Sequence, residues 1–212
     1  PGTAFPALHV LANNAAGIGI FSVSTSTDAN AVFVNKGTGD IIKGFSGATG
    51  GDLVFRVEND GKTSVSVLQI TGGSDLSEQF DVGATGTDTQ PGMVVCIDPE
   101  NPGKLIVSTK AYDRTVAGII SGAGGVKPGM LMGQRDTVAD GQQPVALTGR
   151  VYAWADASNG AIQPGDLLTT ADVAGHLMKA TDAGRAQGAV IGKAMSRLES
   201  GRGLVLVLVS LQ

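Results

Sequence analysis

Glycine or proline interrupts this chain every few residues, and no window of a dozen sustains the 3.6-residue apolar period of a packed helix. That pattern argues for an all-β architecture of short strands and tight turns. Glycine contributes 32 of 212 residues, about twice its usual share of roughly 7%. It shows no three-residue period, which excludes collagen. Aromatic side chains are only 4% and charged ones 16%. The apolar content must therefore be spread over a finely divided core.

The segment from Gly72 to Phe80 separates two styles of punctuation. We expect a β stalk over residues 1–73 and a compact β head over 74–212. In the first part, Ile18 to Ser24 alternates with period two. Val32-Phe33-Val34 and the residues after it can be laid over Val54-Phe55-Arg56 at an offset of 22, so that Phe33 meets Phe55 and Gly39 meets Gly61. Each unit reads as a strand, a glycine turn and a second strand. Asn59-Asp60-Gly61 marks a hairpin, with Asp-Gly tolerating the positive φ of two-residue turns. One such unit has too little apolar surface to stand alone in water. The expectation is an elongated, intertwined stalk in which several copies of the chain share one narrow core. A small sandwich folding alone is the plainer alternative.

In the second part Pro-Gly introduces an apolar run three times, at Pro91-Gly92, Pro128-Gly129 and Pro164-Gly165, spaced by 37 and 36 residues. Proline followed by glycine fits a type II turn, so each reads as turn then strand. Further strands are expected over Lys104 to Ser108, Val116 to Ser121, Pro144 to Leu147, Arg150 to Ala155 and Ala189 to Ala194. Leu204 to Leu211 is dense enough in Val and Leu to be buried on both faces, at the centre of a sheet or against partner chains. Ala180 to Gln187 offers one short helical turn. Short, regularly spaced strands must hide their edges, so the head should close in a barrel-like manner.

Gly149-Arg150-Val151-Tyr152, Ile162 to Thr170, Gly175 to Ala180 and Ile191 to Ala194, in that order, resemble a C-terminal β domain of phage tail-fibre and neck-appendage proteins and related bacterial fibre-like proteins. Some members belong to the self-cleaving intramolecular-chaperone class. The resemblance covers roughly residues 74–212 and implies a homotrimeric fibre whose head guides or locks assembly. It also implies a cleavage option at the stalk–head boundary. Carried over, Ser74-Asp75 would be the scissile pair and Glu78 the catalytic carboxylate. Against this stands the reading in which Ser74 or Asp75 caps a turn and Glu78 is a solvated or capping-box partner, at the Asp75–Glu78 spacing of three.

Trp154 and Tyr152 flank Ala153 and so share one strand face, either to stack on a cell-surface glycan or to fill the head core. His9 and His176 have no Cys or Glu at ligand spacing, and read as structural or surface residues. Cys96, the single cysteine, lies in an apolar run and reads as a small buried hydrophobe. Asp98 to Gly103 reads as a solvated acidic turn rather than a calcium loop. Ser121 to Gly125 precedes a turn and not a helix, which argues against phosphate binding. A net charge of −4 without a basic block argues against nucleic acid. Leu204 to Val209 is far too short for a membrane helix. The first residue, Pro1, leads us to expect a chain that is trimmed, processed or only part of a longer one.

The expectation is thus a non-enzymatic structural fibre or appendage protein with no cofactor or metal, extracellular, at a cell surface or on a virion, with itself as chief partner. The alternatives are a self-cleaving endopeptidase, a carbohydrate-binding module, and a subunit of an extracellular filament in which Pro1 to Val10 adds as a strand to a neighbour.

Overall fold

The computed structural model describes residues 31–47, 51–83 and 88–210, together with residues 23, 25, 27 and 29. The strand expected over 18–24 and the pairing segment 1–10 lie outside the described residues, apart from position 23. The chain divides into two compact units, one up to Leu68 and one from Gln69 onward.

The first unit holds a three-stranded antiparallel sheet of β1 (Ile42–Phe45), β2 (Leu53–Val57) and β3 (Thr63–Val65). Between β2 and β3 the amide of Glu58 donates to the Lys62 carbonyl at 2.8 Å, and only Gly61 takes a positive φ, of 90°. The loop is therefore three residues with glycine at the left-handed position, rather than the expected two-residue turn. The repeat is realised unequally. Residues 32–34 form no strand, although the matching Val54-Phe55-Arg56 lies within β2. What the two copies share is a joined pair of turns: Asn59, which aligns with Gly37, donates its side-chain amide to the Gly37 carbonyl at 2.7 Å.

The second unit runs through β4 (Asp75–Phe80), β5 (Val82–Gly83), β6 (Val94–Ile97), β7 (Leu105–Val107), β8 (Val116–Ile120), β9 (Met130–Met132), β10 (Gln143–Asp156), β11 (Leu167–Thr170), β12 (Leu177–Lys179), a helical turn α1 (Ala183–Ala186), β13 (Val190–Ala194) and β14 (Arg202–Ser210). Strands β10, β14, β13, β11 and β12 pair in that order, and β12 returns to β10 through Ala155 and Leu177. This closes a five-stranded barrel, so the chain is all-β with a barrel-like head. A barrel of so few strands has a narrow interior. Val151, Ala153 and Ala155 of β10 fill it together with Val205, Val207 and Val209 of β14, Ile191, Leu168 and Leu177.

The 14 residues of β10 were expected as two strands, Pro144 to Leu147 and Arg150 to Ala155. They are one strand with a register shift between Ala146 and Thr148, and Gly149 there takes a φ of 106°. The bulge re-aims the strand, so its first half pairs with β4 and β8 and its second half belongs to the barrel. A second core of Met93, Val95, Leu105, Val107, Ile120 and Val145 packs on that first half. The helical turn appears where expected, capped by Asp182, which accepts from the amides of Gly184 and Arg185.

Two expectations are met only in part. Strand β14 lies inside the sheet, between β13 and β10, and Val205, Val207 and Val209 point into the barrel, while Leu208 on the outer wall is 43% exposed in the single chain. Closure into a barrel covers only the inner face, so the chain by itself does not bury both. Nor are all three Pro-Gly pairs type II turns. Gly92 and Gly165 have φ of 90° and 95°, but Gly129 has no positive φ. It is glycine for a different reason, the close approach of a neighbouring strand.

Where β10 ends beside the start of β14, Arg202 donates to Asp156 at 2.7 Å and Ser158 N donates to the same carboxylate at 2.8 Å. The Ser158 bonds, then Arg202, lower the Asp156 carboxyl from 3.8 to about 2. Because the folded value is depressed, its stabilisation is complete above about pH 4 and is lost as pH falls toward about 2. Asp156→Ala should flatten that part of the acid limb in a stability-versus-pH series. Gly192 of β13 lies against β14 so closely that an added Cβ would overlap the Leu208 carbonyl. Gly192→Ala should lower unfolding stability by about 1–3 kcal/mol in urea melts, because backbone must move to admit it.

Candidate functional site

The residues from Gly73 onward become strand β4 because three glycines let the backbone through. A Cβ on Gly73 would overlap the Lys127 carbonyl, and one on Gly149 would stand 2.6 Å from the Ser74 carbonyl. One on Gly129 would lie 3.0 Å from the Asp75 carbonyl. Within this grip Ser74 N donates to Lys127 O at 3.4 Å, Arg150 N donates to Ser74 O at 3.0 Å, and Ser74 Oγ donates to Arg150 O at 3.2 Å.

Asp75 is buried. Its carboxylate accepts from Ser121 Oγ at 2.5 Å and from Gly129 N at 3.1 Å, and its carbonyl accepts from Gly129 N at 3.0 Å. Strand alternation puts Asp75 and the buried Ser77 on one face, and Leu76, Glu78 and Phe80 on the other. The three residues singled out from sequence are thus neighbours along the strand but do not converge. Ser74 and Asp75 are held by backbone and hydroxyl partners, whereas Glu78 projects from the opposite face. Among the described residues the Glu78 carboxylate has no hydrogen bond or ion pair. The capping reading is corrected as well. Asp75 opens a six-residue strand, not a helical turn, so its spacing to Glu78 builds no capping box.

Trp154 and Tyr152 do share the outer face of β10, and both are half-buried. Trp154 Nε1 donates to the Pro91 carbonyl at 3.2 Å, and its ring centroid lies 6.2 Å from that of His176. Gly92 packs on the Trp154 ring and Gly124 on the Tyr152 ring, closely enough that a Cβ at either position would press into the aromatic edge. The glycine-rich 121–125 stretch is thus a cover for Tyr152, with a 3₁₀ turn at Ala123–Gly125. His176 Nδ1 is 2.7 Å from the Ala174 carbonyl, and His9 lies outside the described residues. No group of three or more His, Cys, Asp or Glu among the described residues is placed to hold a metal ion.

Cys96 is buried, and that burial, with the Asp113 carboxylate adding to it, pushes the thiol up to about 12. It is unreactive at neutral pH. The acidic turn is solvated as expected, with residues 99–103 exposed, but Asp98 at its start is buried. It accepts from Asn101 Nδ2 at 2.9 Å and Glu100 N at 2.9 Å, which hold its carboxyl below the usual range. Sequence reasoning also missed Tyr112. Its hydroxyl accepts from the amides of Thr181 and Asp182, each at 2.9 Å, while the Arg185 guanidinium sits 4.4 Å from its ring. The cluster ties the start of α1 to the loop after β7, a structural role.

Ser74, Asp75 and Glu78 therefore do not converge on one point, and the contacts around Ser74 and Asp75 form a clasp that grips strand β4. No helix among the described residues is long and apolar enough to cross a membrane. Neither the models of known protein families nor the curated proteins give a match to the chain.

Removing the Asp75 carboxylate strands the Ser121 hydroxyl in a buried setting, while the Gly129 amide keeps only the Asp75 carbonyl. Asp75→Ala should cost about 1.5–3 kcal/mol of unfolding stability. In a double-mutant cycle by urea melts, Ser121→Ala should cost less in that background than in the wild type.

Proposed function

We propose that the chain is a structural fibre or appendage protein, homotrimeric and extracellular, at a cell surface or on a virion. Its first unit supplies a β core shared between copies, and its head serves assembly or attachment. One observation carries this reading. The β1–β2–β3 register places Ile42, Leu53, Phe55, Val57 and Val65 on one face and Lys43, Arg56 and Ser64 on the other. The apolar face is open: Ile42, Leu53, Phe55 and Val65 are 37%, 42%, 36% and 39% exposed. Among the described residues up to Leu68, not one is buried.

A one-sided apolar sheet needs a second layer. Completing the burial of each large side chain contributes up to about 1.5–3 kcal/mol. Sister copies supply identical faces, and three can meet around one axis. The second unit needs no such help, since its barrel encloses its own core. The same division supports a non-enzymatic role: the junction carboxylates face opposite ways, and the buried thiol is inert.

Sedimentation equilibrium of the full chain should give about three times its 21.3 kDa mass. Phe55→Asp, which puts a charge in the shared face, should shift the protein toward monomer while leaving the head folded. A wild-type monomer at all concentrations sinks the proposal. Wild type and Glu78→Ala should both run as single full-length bands on a denaturing gel. A shorter band present only in wild type would revive self-cleavage.

A further inference from the structure

The loop over residues 133–142, between β9 and β10, is held by its own polar groups. Gln134 N donates to the Ala139 carbonyl at 2.9 Å, and Thr137 Oγ1 donates to the Gln134 carbonyl at 2.8 Å. Asp140 fixes the far end: one carboxylate oxygen accepts from Asp136 N at 3.0 Å and the other from Gly141 N at 2.9 Å. Two glycines seat the loop on the end of β4. A Cβ on Gly141 would overlap the Phe80 backbone, and one on Gly133 would overlap the Gln79 carboxamide. On its other side the loop meets the acidic turn, where Gly103 lies against Val138.

Between this loop and β4 is a cavity of about 530 Å³, lined by Gln79, Arg135, Asp140 and Gln142 with the two glycines. That volume lies in the range of small-molecule sites. Its polar groups are largely uncommitted. Among the described residues, the side chains of Gln79, Arg135 and Gln142 make no hydrogen bond or ion pair. The amides of Asp136 and Gly141, and then the nearby Arg135 guanidinium, hold the Asp140 carboxyl below the usual range. Arg135 and Asp140 thus line one cavity without closing on each other. A further 270 Å³ lies across Asp140, where Pro102, Lys104 and Val138 form the wall.

The donor and acceptor set selects a ligand class. A carboxylate only accepts, a guanidinium only donates, and carboxamides do both. An anion would meet the Asp140 charge and a cation the Arg135 charge, each a repulsive contact. A neutral polyol carries a donor and an acceptor on each hydroxyl, so it can satisfy all four side chains with no net charge of its own.

We propose that this cavity binds a neutral sugar residue of a glycan. Asp140 and Arg135 take neighbouring hydroxyls, Gln79 and Gln142 take others, and the next sugar lies over Pro102 and Val138. This rests on the attachment role proposed above and names its ligand class; it does not depend on the number of copies.

Saturation-transfer NMR on the full chain tests it. Glucose, galactose, mannose, N-acetylglucosamine and lactose are the neutral probes, and glucuronate and glucosamine the charged ones. At least one neutral probe should bind, and more tightly than either charged one. Arg135 and Gln142 are exposed, so their alanine variants should keep the wild-type circular dichroism. Arg135→Ala should weaken that probe at least about tenfold, and Gln142→Ala about threefold. A trimeric wild type that binds none of the probes overturns the sugar site and leaves the shared first-unit core standing. Binding of the charged probes alone, or binding unchanged in both variants, overturns the site as well. A wild type that is monomeric by mass yet binds a neutral probe, with the loss in Arg135→Ala, overturns the shared core and upholds the site.

Discussion

The second unit depends on one unbroken length of extended backbone, strand β10. Its later half closes the barrel by pairing with β14 on one side and meeting β12 on the other. Its earlier half receives β4 and β8. The bulge at Ala146–Thr148 and the left-handed Gly149 let a single strand serve both lobes. Everything the head offers is hung on this strand: the grip on Ser74 and Asp75, the Trp154 and Tyr152 face, and the ion pair at Asp156. Bending it with glycine is cheaper than breaking it, since a break would leave ladder amides without partners in a buried setting.

Two ways of hiding apolar surface coexist in the chain. The head curls a sheet until its first and last strands meet, which turns small residues such as Ala153 and Ala155 from a weakness into a requirement of the narrow bore. The described residues of the first unit have the alternation needed to make an apolar face, but among them no second layer of strands folds over it. Strand number, more than hydrophobicity, separates the closed core from the open face.

Much of this was legible in the sequence. Apolar runs between glycine turns identify many of the head strands, though not β4 or β12, and residues 32–34 form no strand; two of the three Pro-Gly pairs are the turns their chemistry indicates. Cys96 is the small buried hydrophobe its apolar neighbours imply. What could not be read is long-range. Asp75 meets Ser121 across 46 residues, and nothing local to either marks the bond. Thr148-Gly149 looks like a gap between strands because glycine signals a turn and a bulge alike. Gly129 looks like Gly92 and Gly165 because close backbone approach leaves no trace in the dipeptide itself. The leucines of β14 seemed to demand cover on both sides, since a sequence does not say whether a dense strand is central or part of a wall. The fibre-head resemblance carries expectations for function that the fold accommodates without deciding.

Trp154 is the only tryptophan, and it and both tyrosines, Tyr112 and Tyr152, belong to the second unit. Its indole is pinned to the Pro91 carbonyl and lies beside an imidazole. Near-ultraviolet spectroscopy of this protein is consequently a one-sided instrument. Emission and absorbance above the phenylalanine band report the loosening of the barrel and its Pro-Gly collar. The first unit, which carries neither tryptophan nor tyrosine, can melt without altering the signal.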